Sequence, residues 1–325
     1  MANERIPLQP SIDTLPFDDG IIFLSNAHGF NHTTNIPRDQ IAHIYNDAMK
    51  GSSESGFIVG MFYLYGFMGT VGDSDMENAI KWFSKSAADG FVDSQVALGI
   101  LLYHSEQKSS ITWIFQAAMS GNHPMAHYLL ARLLCEGASL KVVGIEEDTK
   151  KSKYQRAVSH LRKAGSIPEA LHLLAVLFEY NLVSEEKEGI SNSDAHLKEA
   201  LKLYKLAVSK GSIESLYNLA LMHLYGRGTQ MNYSIATTLL LQAAAENHVP
   251  SFRFLGLLAM QNTDQPNPKE AVFWLGKCVN LAVSTELKTV CHQELEQVQK
   301  IVDIVNRNHR DILNDYKGQT KKRNY

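Results

Sequence analysis

Pairs of small residues, separated by four mostly apolar positions, recur six times along the chain. The pairs are Ser55/Gly60, Ser94/Gly99, Ala126/Ala131, Ala170/Ala175, Ser215/Ala220 and Ser251/Gly256. Successive pairs lie roughly 32 to 45 residues apart, which is the period of known helical repeats. This pattern restricts the chain to a stack of similar modules.

Each module carries a second segment whose apolar residues share one face of a helix, such as ENAIKWFSKSAADG and SIATTLLLQAAAEN. Ser74 with Glu77 predicts a capping box at the start of one such helix, and Asn267 with Pro268 and Glu270 predicts the start of another. Two helices cannot bury their apolar faces alone, so neighbouring pairs must stack. The prediction is an all-α fold.

The stretch LYGRGTQ raises the alternative of a phosphate-binding loop at Gly226 and Gly228. Gly226 stands six residues after the second small residue of its module, as Gly66 and Gly137 do in theirs. A phosphate loop would need a preceding strand and a Gly-Lys-Ser/Thr ending, which this sequence does not show. The glycines are therefore predicted to end the first helix of a module.

The modules resemble Sel1-like repeats, which are relatives of the tetratricopeptide repeat. Residues 207–247 carry the resemblance best, with a small-x4-small helix, a Tyr/Gly-rich turn and an alanine-rich second helix. The resemblance implies a right-handed α-α superhelical solenoid of about six helix-turn-helix repeats over residues 41–282. It also implies a non-catalytic scaffold or adaptor that binds proteins within assembly, quality-control or signalling complexes.

The repeat units are expected at about 41–51 (partial), 52–90, 91–121, 122–165, 166–211, 212–247 and 248–282.

The two ends differ from the repeats. Residues 1–40 are expected to form an irregular arm, in which GIIFLS (20–25) is apolar enough to dock on the first unit. Residues 283–316 predict one long helix that caps the last repeat, with a self-associating coiled coil as the alternative. Residues 317–325 are expected to be a basic, flexible tail.

Composition excludes several classes. A formal net charge of −3 gives no electrostatic case for binding nucleic acid. The sequence shows no secretory signal and no apolar run long enough for membrane insertion, which favours a cytoplasmic location. Cys135, Cys278 and Cys291 are odd in number and spread out, so reduced thiols are expected rather than a disulfide or a zinc site.

No catalytic or metal-binding motif is present, and no catalytic residue, metal or cofactor is predicted. His28 and His32 stand four apart in a region without helical periodicity, which argues against a metal pair. Two alternatives remain open: an enzyme or metal-binding protein built on a helical solenoid, and an organellar or membrane-complex assembly factor.

By analogy with tetratricopeptide repeats, the first helix of each unit lines a concave face. Aromatic and polar residues recur two and ten positions after the first small residue, and acids recur just before it. The predicted partner-contacting residues are Phe57, Tyr65, Tyr128, His172, Tyr180, Tyr217, Tyr225, Arg253, Glu54, Asp93, Glu169 and Glu214. An aromatic trough with an acidic margin predicts an extended or helical partner segment, preferentially one bearing Lys or Arg.

Overall fold

The structure is a computed structural model that describes residues 18–29, 36–67, 75–105, 107–137, 140–144, 153–183, 193–261 and 266–322. Within these ranges the chain forms fifteen α-helices and no strand, so the predicted all-α class is confirmed. The helices are α1 (Asp18–Ala27), α2 (Arg38–Met49), α3 (Ser53–Leu64), α4 (Met76–Ala88), α5 (Val92–Leu101), α6 (Gln107–Met119), α7 (Pro124–Glu136), α8 (Lys153–Lys163), α9 (Pro168–Glu179), α10 (Ser193–Ser209), α11 (Ile213–Tyr225), α12 (Tyr233–Ala245), α13 (Val249–Gln261), α14 (Pro268–Leu281) and α15 (Thr285–Lys322).

The chain divides into two compact units, Met1–Ser191 with α1 to α9 and Asn192–Tyr325 with α10 to α15. In the first unit the helix pairs α3/α4, α5/α6 and α7/α8 pack as hairpins, and each second helix also contacts the next first helix. In the second unit α11/α12 and α13/α14 pack in the same way. Each unit is therefore a stack of helical hairpins.

The small residues lie where two helices meet. Ser94, Ala126, Ser215 and Ser251 are fully buried. The backbone of Gly256 lies so close to the second helix of its own hairpin that an added Cβ would be 2.7 Å from Leu275 Cγ. The recurring pairs thus allow close helix contact, as the sequence predicts.

Polar side chains cap the N-termini of α4 and α14 as expected, although the capping residue of α4 differs by one position from the predicted one. Asn267 Oδ1 accepts a hydrogen bond from the Glu270 backbone N–H at 3.2 Å, so this predicted cap is confirmed. At α4 the cap is Asp75, whose Oδ1 accepts from the Asn78 N–H at 3.0 Å. The predicted capping residue Ser74 lies outside the described residues.

Glycines end the first helices. Gly66, Gly137 and Gly226 have φ of 76°, 89° and 67°, the left-handed conformation that glycine adopts without strain. Gly228 is also required by close packing, since an added Cβ there would lie 2.7 Å from the backbone of Leu197 on α10. These positions confirm the role in chain turning predicted for LYGRGTQ.

Helix α1 lies where an irregular arm through residue 40 is expected, whereas α2 covers most of the expected partial unit 41–51. Helix α1 packs on α5, and its Leu24 is fully buried. A ten-residue helix is too short to be stable alone in water, so its order depends on this contact. The sequence of α1 shows no sustained helical period, and its contact with α5, which stabilises the helix, could not be read from the sequence.

Helix α15 reaches Lys322, so the expected flexible tail is helical through that residue. Its first half packs along α14, where Val298 joins Ala271 and Leu275 in a buried cluster. Further along, Ile304 and Val305 are more than half exposed. The first half of α15 therefore covers the last hairpin, and the next turns extend beyond that contact.

The expectation of three reduced thiols is wrong. Cys278 on α14 and Cys291 on α15 form a disulfide, with a Cα–Cα distance of 6.1 Å. The two residues are 13 apart in sequence, a separation that spans the turn between consecutive helices. Cys135 is the free cysteine, and burial raises its pKa to about 12. The disulfide removes the support that three reduced thiols would have given to a cytosol-like compartment, and a cytoplasmic location stays a prediction.

Replacing Gly256 with alanine should destabilise the second unit by roughly 1–3 kcal/mol, since the methyl group would press on Leu275 and the Ala271 carbonyl. The matched control is Gly276→Ala in the same hairpin, where nothing lies within 4 Å of an added Cβ. That change should stabilise by up to about 1 kcal/mol through helix propensity. Urea unfolding measures both variants, and equal shifts would contradict the close-contact explanation.

Candidate functional site

The twelve residues predicted to contact a partner lie on, or at the ends of, the first helices of the repeats: α3, α5, α7, α9, α11 and α13. Their exposure differs widely from repeat to repeat. Phe57 and Tyr128 are buried, Glu54, Glu214 and Tyr225 are exposed, and the remaining seven are partly buried: Tyr65, Asp93, Glu169, His172, Tyr180, Tyr217 and Arg253.

Phe57 and Tyr128 are core residues, which corrects their assignment to a partner surface. Phe57 is fully buried, with its ring centroid 5.7 Å from that of Phe83 and 5.5 Å from that of Phe91. Tyr128 is 2% exposed. A large ring at this position enters the space between helices, so neither side chain offers area to a partner.

Tyr65 and Asp93 are contacted by the chain's own N-terminal segment. The Ser25 and Tyr65 hydroxyls lie 2.5 Å apart, and His28 Nε2 lies 2.7 Å from Asp93 Oδ2. The His28 ring also packs on Phe57, with centroids 4.7 Å apart. Part of the predicted binding face of the first unit is therefore covered by α1 and the residue that follows it.

Asp93 receives a second histidine from the next repeat. His123 begins α7, and its Nδ1 accepts the Ala126 N–H at 3.4 Å. In neutral His123 the proton therefore sits on Nε2, which lies 3.3 Å from Asp93 Oδ1. The hydrogen bond from His123, with a smaller contribution from His28, lowers the pKa of Asp93 although burial acts in the opposite direction.

A second histidine pair adjoins this group and was missed in the sequence. His127 Nε2 lies 2.9 Å from Asn122 Oδ1, and its Nδ1 lies 3.0 Å from His160 Nδ1. Because the Asn122 oxygen is an acceptor, neutral His127 donates from Nε2 and accepts at Nδ1, so His160 donates. Burial, with further contributions from His127 and Lys163, lowers the pKa of His160 to about 4. The pair comes from different helices, and spacing alone could not reveal it.

In the second unit Arg253 is held by α15. Arg253 Nε lies 3.0 and 2.9 Å from the two Glu294 carboxylate oxygens, and Nη2 lies 2.5 Å from Oε1. Burial is the largest single influence and lowers the pKa of Arg253, but the hydrogen bond to Glu294 and its charge, with Tyr217 and Tyr225, together raise the arginine pKa. The guanidinium group predicted to meet a partner is thus paired within the unit.

Tyr225 stands beside a partly exposed aromatic group on the same unit. Tyr225 and Tyr233 are 53% and 54% exposed. Partial burial, with a smaller contribution from Tyr233, raises the pKa of Tyr225, although the charge of Arg253 acts to lower it. Met231, 59% exposed, follows the turn at Gly226. We name Tyr225, Met231 and Tyr233 the Tyr225 patch. Of these three residues, Tyr225 belongs to the predicted face, and Met231 and Tyr233 lie before and at the start of α12. Their exposure leaves them open to a partner, as does that of Glu214.

Tyr217 lies inward of this patch. Its ring is 5.0 Å from His248 and 5.6 Å from Phe254. His248 Nδ1 lies 2.8 Å from the Ser251 hydroxyl, and burial lowers the His248 pKa to about 4. Tyr217 therefore helps to pack the junction between α11 and α13.

The described residues contain no group of three or more His, Cys, Asp or Glu side chains arranged to hold a metal. His32 of the sequence pair lies outside the described ranges. Two open depressions of about 570 and 370 Å³ flank a 3₁₀ turn, Leu140–Val143, and residues of α6. His160, His248 and Cys135, whose pKa values shift most, line neither depression.

Stacked hairpins with small residues at each helix contact define a helical repeat protein of the solenoid class. A profile of the Sel1 repeat matches residues 56–91, 124–166, 168–212 and 213–248. The chain is a Sel1-like repeat protein, which confirms the resemblance. The hairpins α5/α6 and α13/α14 have the same small-residue contacts, although both lie outside these matches.

Two solved structures share this fold. One is c5321, a protective antigen of uropathogenic Escherichia coli strains with an SLR fold (TM-score 0.63, 21% identity, covering 80% of this chain and 54% of c5321). The other is a Sel1 repeat protein from Oxalobacter formigenes (TM-score 0.62, 18% identity, covering 81% and 96%). The chain therefore spans about half the length of c5321. No curated protein matches the chain in sequence.

In the described part of the chain, no helix combines the length and apolar character needed to cross a bilayer.

Acid should destabilise the second unit through His248. Its folded pKa of about 4 lies below the unfolded value of about 6.5, so the unfolded chain binds more protons between these values. The free energy of unfolding should therefore decrease as the pH falls through this window, by up to about 2 kcal/mol at pH 5. Urea unfolding at pH 7 and pH 5 measures this loss. It should shrink in His248→Asn, and an unchanged loss in that variant would refute the assignment to His248.

Proposed function

We propose that the chain is a non-catalytic scaffold that binds helical or extended segments of other proteins on the first helices of its repeats, within a larger complex. The observation that carries the proposal is the contact of α1 with α3 and α5. A helical segment lies on this face through Tyr65 and Asp93, which belong to the set predicted for a partner. The face is thus chemically suited to a helix.

The Tyr225 patch supports the same function in the second unit. Exposed tyrosines supply large apolar area, and their hydroxyl groups can pair with polar partner atoms, so such residues often dominate binding energy. Glu214, at the start of the same helix, is exposed. Together they favour a partner segment with an apolar residue for the tyrosines and Lys or Arg for the acid.

A non-catalytic role agrees with the dispersal of the titratable groups. The pKa values of His160 and His248 are lowered mainly by burial, and these residues belong to different units. Neither stands in a described depression, so nothing brings an acid, a base and a nucleophile together there.

Partner binding should depend on the Tyr225 patch. Tyr225→Ser with Tyr233→Ser should reduce partner recovery at least tenfold, the usual cost of losing two interface tyrosines. Affinity purification of the tagged full chain from an extract of its source cells, followed by quantitative mass spectrometry, measures the recovery. The control is Phe273→Ser on the second helix α14, since Phe273 is an equally exposed aromatic residue at 54%. Equal recovery in all three chains would reject the patch as a binding site.

Self-association through α15 is a second proposal, carried by a different observation. Ile301, Ile304 and Val305 are 41%, 54% and 56% exposed on one stretch of this helix, beyond its contact with α14. Apolar residues at such spacing can pair in a coiled coil.

A pair of changes tests this second proposal. Ile301→Glu with Val305→Glu should convert a dimer of the full chain into a monomer, as measured by light scattering during size exclusion. Lys300→Glu alters a neighbouring exposed residue and should leave the dimer intact. A wild-type monomer at tens of micromolar would disprove pairing through α15.

A further inference from the structure

Helix α1 has the contacts of a ligand on the first-helix face of the first unit. His28 lies against Phe57 and Asp93, near the starts of α3 and α5, whereas Ser25 reaches Tyr65 at the end of α3. Leu24, one helical turn before His28, is fully buried.

We propose that α1 is an internal ligand that occupies the partner-binding face of the first unit, and that a partner helix with the same side-chain pattern displaces it. This inference rests on the proposed scaffold function and specifies how one of its faces is controlled. It also identifies the partner class, because the contacts of α1 show which side chains the face accepts.

The contacts give a three-point pattern. Leu24 supplies a buried aliphatic group, Ser25 a hydroxyl group for Tyr65, and His28 a donor for Asp93. Residues four apart share a helix face, so Leu24 and His28 approach the same surface. A partner helix should therefore carry an aliphatic residue, a small polar residue next to it, and His, Lys or Arg four positions after the first. Lys or Arg would be charged at every physiological pH and would bond to the Asp93 carboxylate more strongly than neutral histidine does.

Displacement is feasible because α1 is a short helix. It has ten residues, and a helix of this length is ordered only while it is docked. Among the side chains of α1 that are described, Leu24 and Ser25 are the buried ones. An internal ligand of this kind reduces the apparent affinity of every external ligand by the fraction of chains in which the face is open.

The test uses a fluorescent peptide of residues 18–29 and the full chain. Fluorescence polarisation should show weak binding to the wild type, because its own α1 competes. Leu24→Glu in the chain should release α1 and increase the affinity for the peptide at least tenfold. A peptide with His28→Lys should bind that chain at least as well, and a peptide with Leu24→Glu should not bind.

Two further changes locate the binding on the proposed face. In the Leu24→Glu chain, Asp93→Asn should weaken peptide binding about tenfold, since it removes the charge that His28 contacts. Glu77→Lys, on the second helix α4 with its side chain 82% exposed, should leave it unchanged. Equal losses in these two variants would show attraction to net charge alone and overturn the assignment.

Equal peptide affinity in the wild type and the Leu24→Glu chain would overturn the internal-ligand inference. If circular dichroism shows that this variant has unfolded, His28→Ala decides the question, since it removes the Asp93 contact and leaves Leu24 in place. It should raise peptide affinity several-fold, and no rise would refute the inference. Partner recovery that depends on the Tyr225 patch would leave the scaffold function standing in that case.

Discussion

The close contact between the two helices of each hairpin is the interaction on which the rest of the structure depends. Where the first helix carries glycine, a large side chain of the second helix fills the space. An added Cβ at Gly60 would lie 2.6 Å from the Phe83 ring, and one at Gly99 would lie 2.5 Å from Ile114. Both large residues are buried at these contacts, so apolar burial is achieved locally within the hairpin. Stacking then covers the faces that one hairpin leaves open.

This local character explains why the fold could be predicted from the sequence. The small-residue pairs and the apolar period lie within one repeat and recur in the others, and a glycine ends the first helix in three of them, α3, α7 and α11. Errors arose where a single neighbour decided the outcome. The cap of α4 is Asp75 because its carboxylate reaches Asn78, one position from the expected Ser74. Cys278 and Cys291 are bonded because a short connection brings α14 and α15 together, which a count of cysteines could not show.

The candidate site was less predictable because the repeats alone do not determine which residues are exposed. The position two after the first small residue is core at Phe57 and Tyr128 but partly open at Tyr217. Asp93 and Arg253 are polar residues that the sequence correctly places on first helices. Their partners, His28 and Glu294, come from segments outside the repeats, so the repeat period could not predict these contacts. Sequence therefore indicated the helices that carry the candidate residues, and tertiary contacts decided which of their side chains are exposed.

Both units use a terminal segment to bind a charged residue on a first helix. In the first, His28 pairs with the acid Asp93, and in the second, Glu294 pairs with the base Arg253. The two contacts differ in strength. Arg253 and Glu294 form a bidentate ion pair on a helix that a disulfide also ties down, whereas His28 offers one ring nitrogen from the end of a short helix. The charge on α13 is thus held within its unit, and the charge on α5 is covered by a segment that a cationic helix can replace. This asymmetry gives the N-terminal segment, rather than α15, the properties of a competitor for partners.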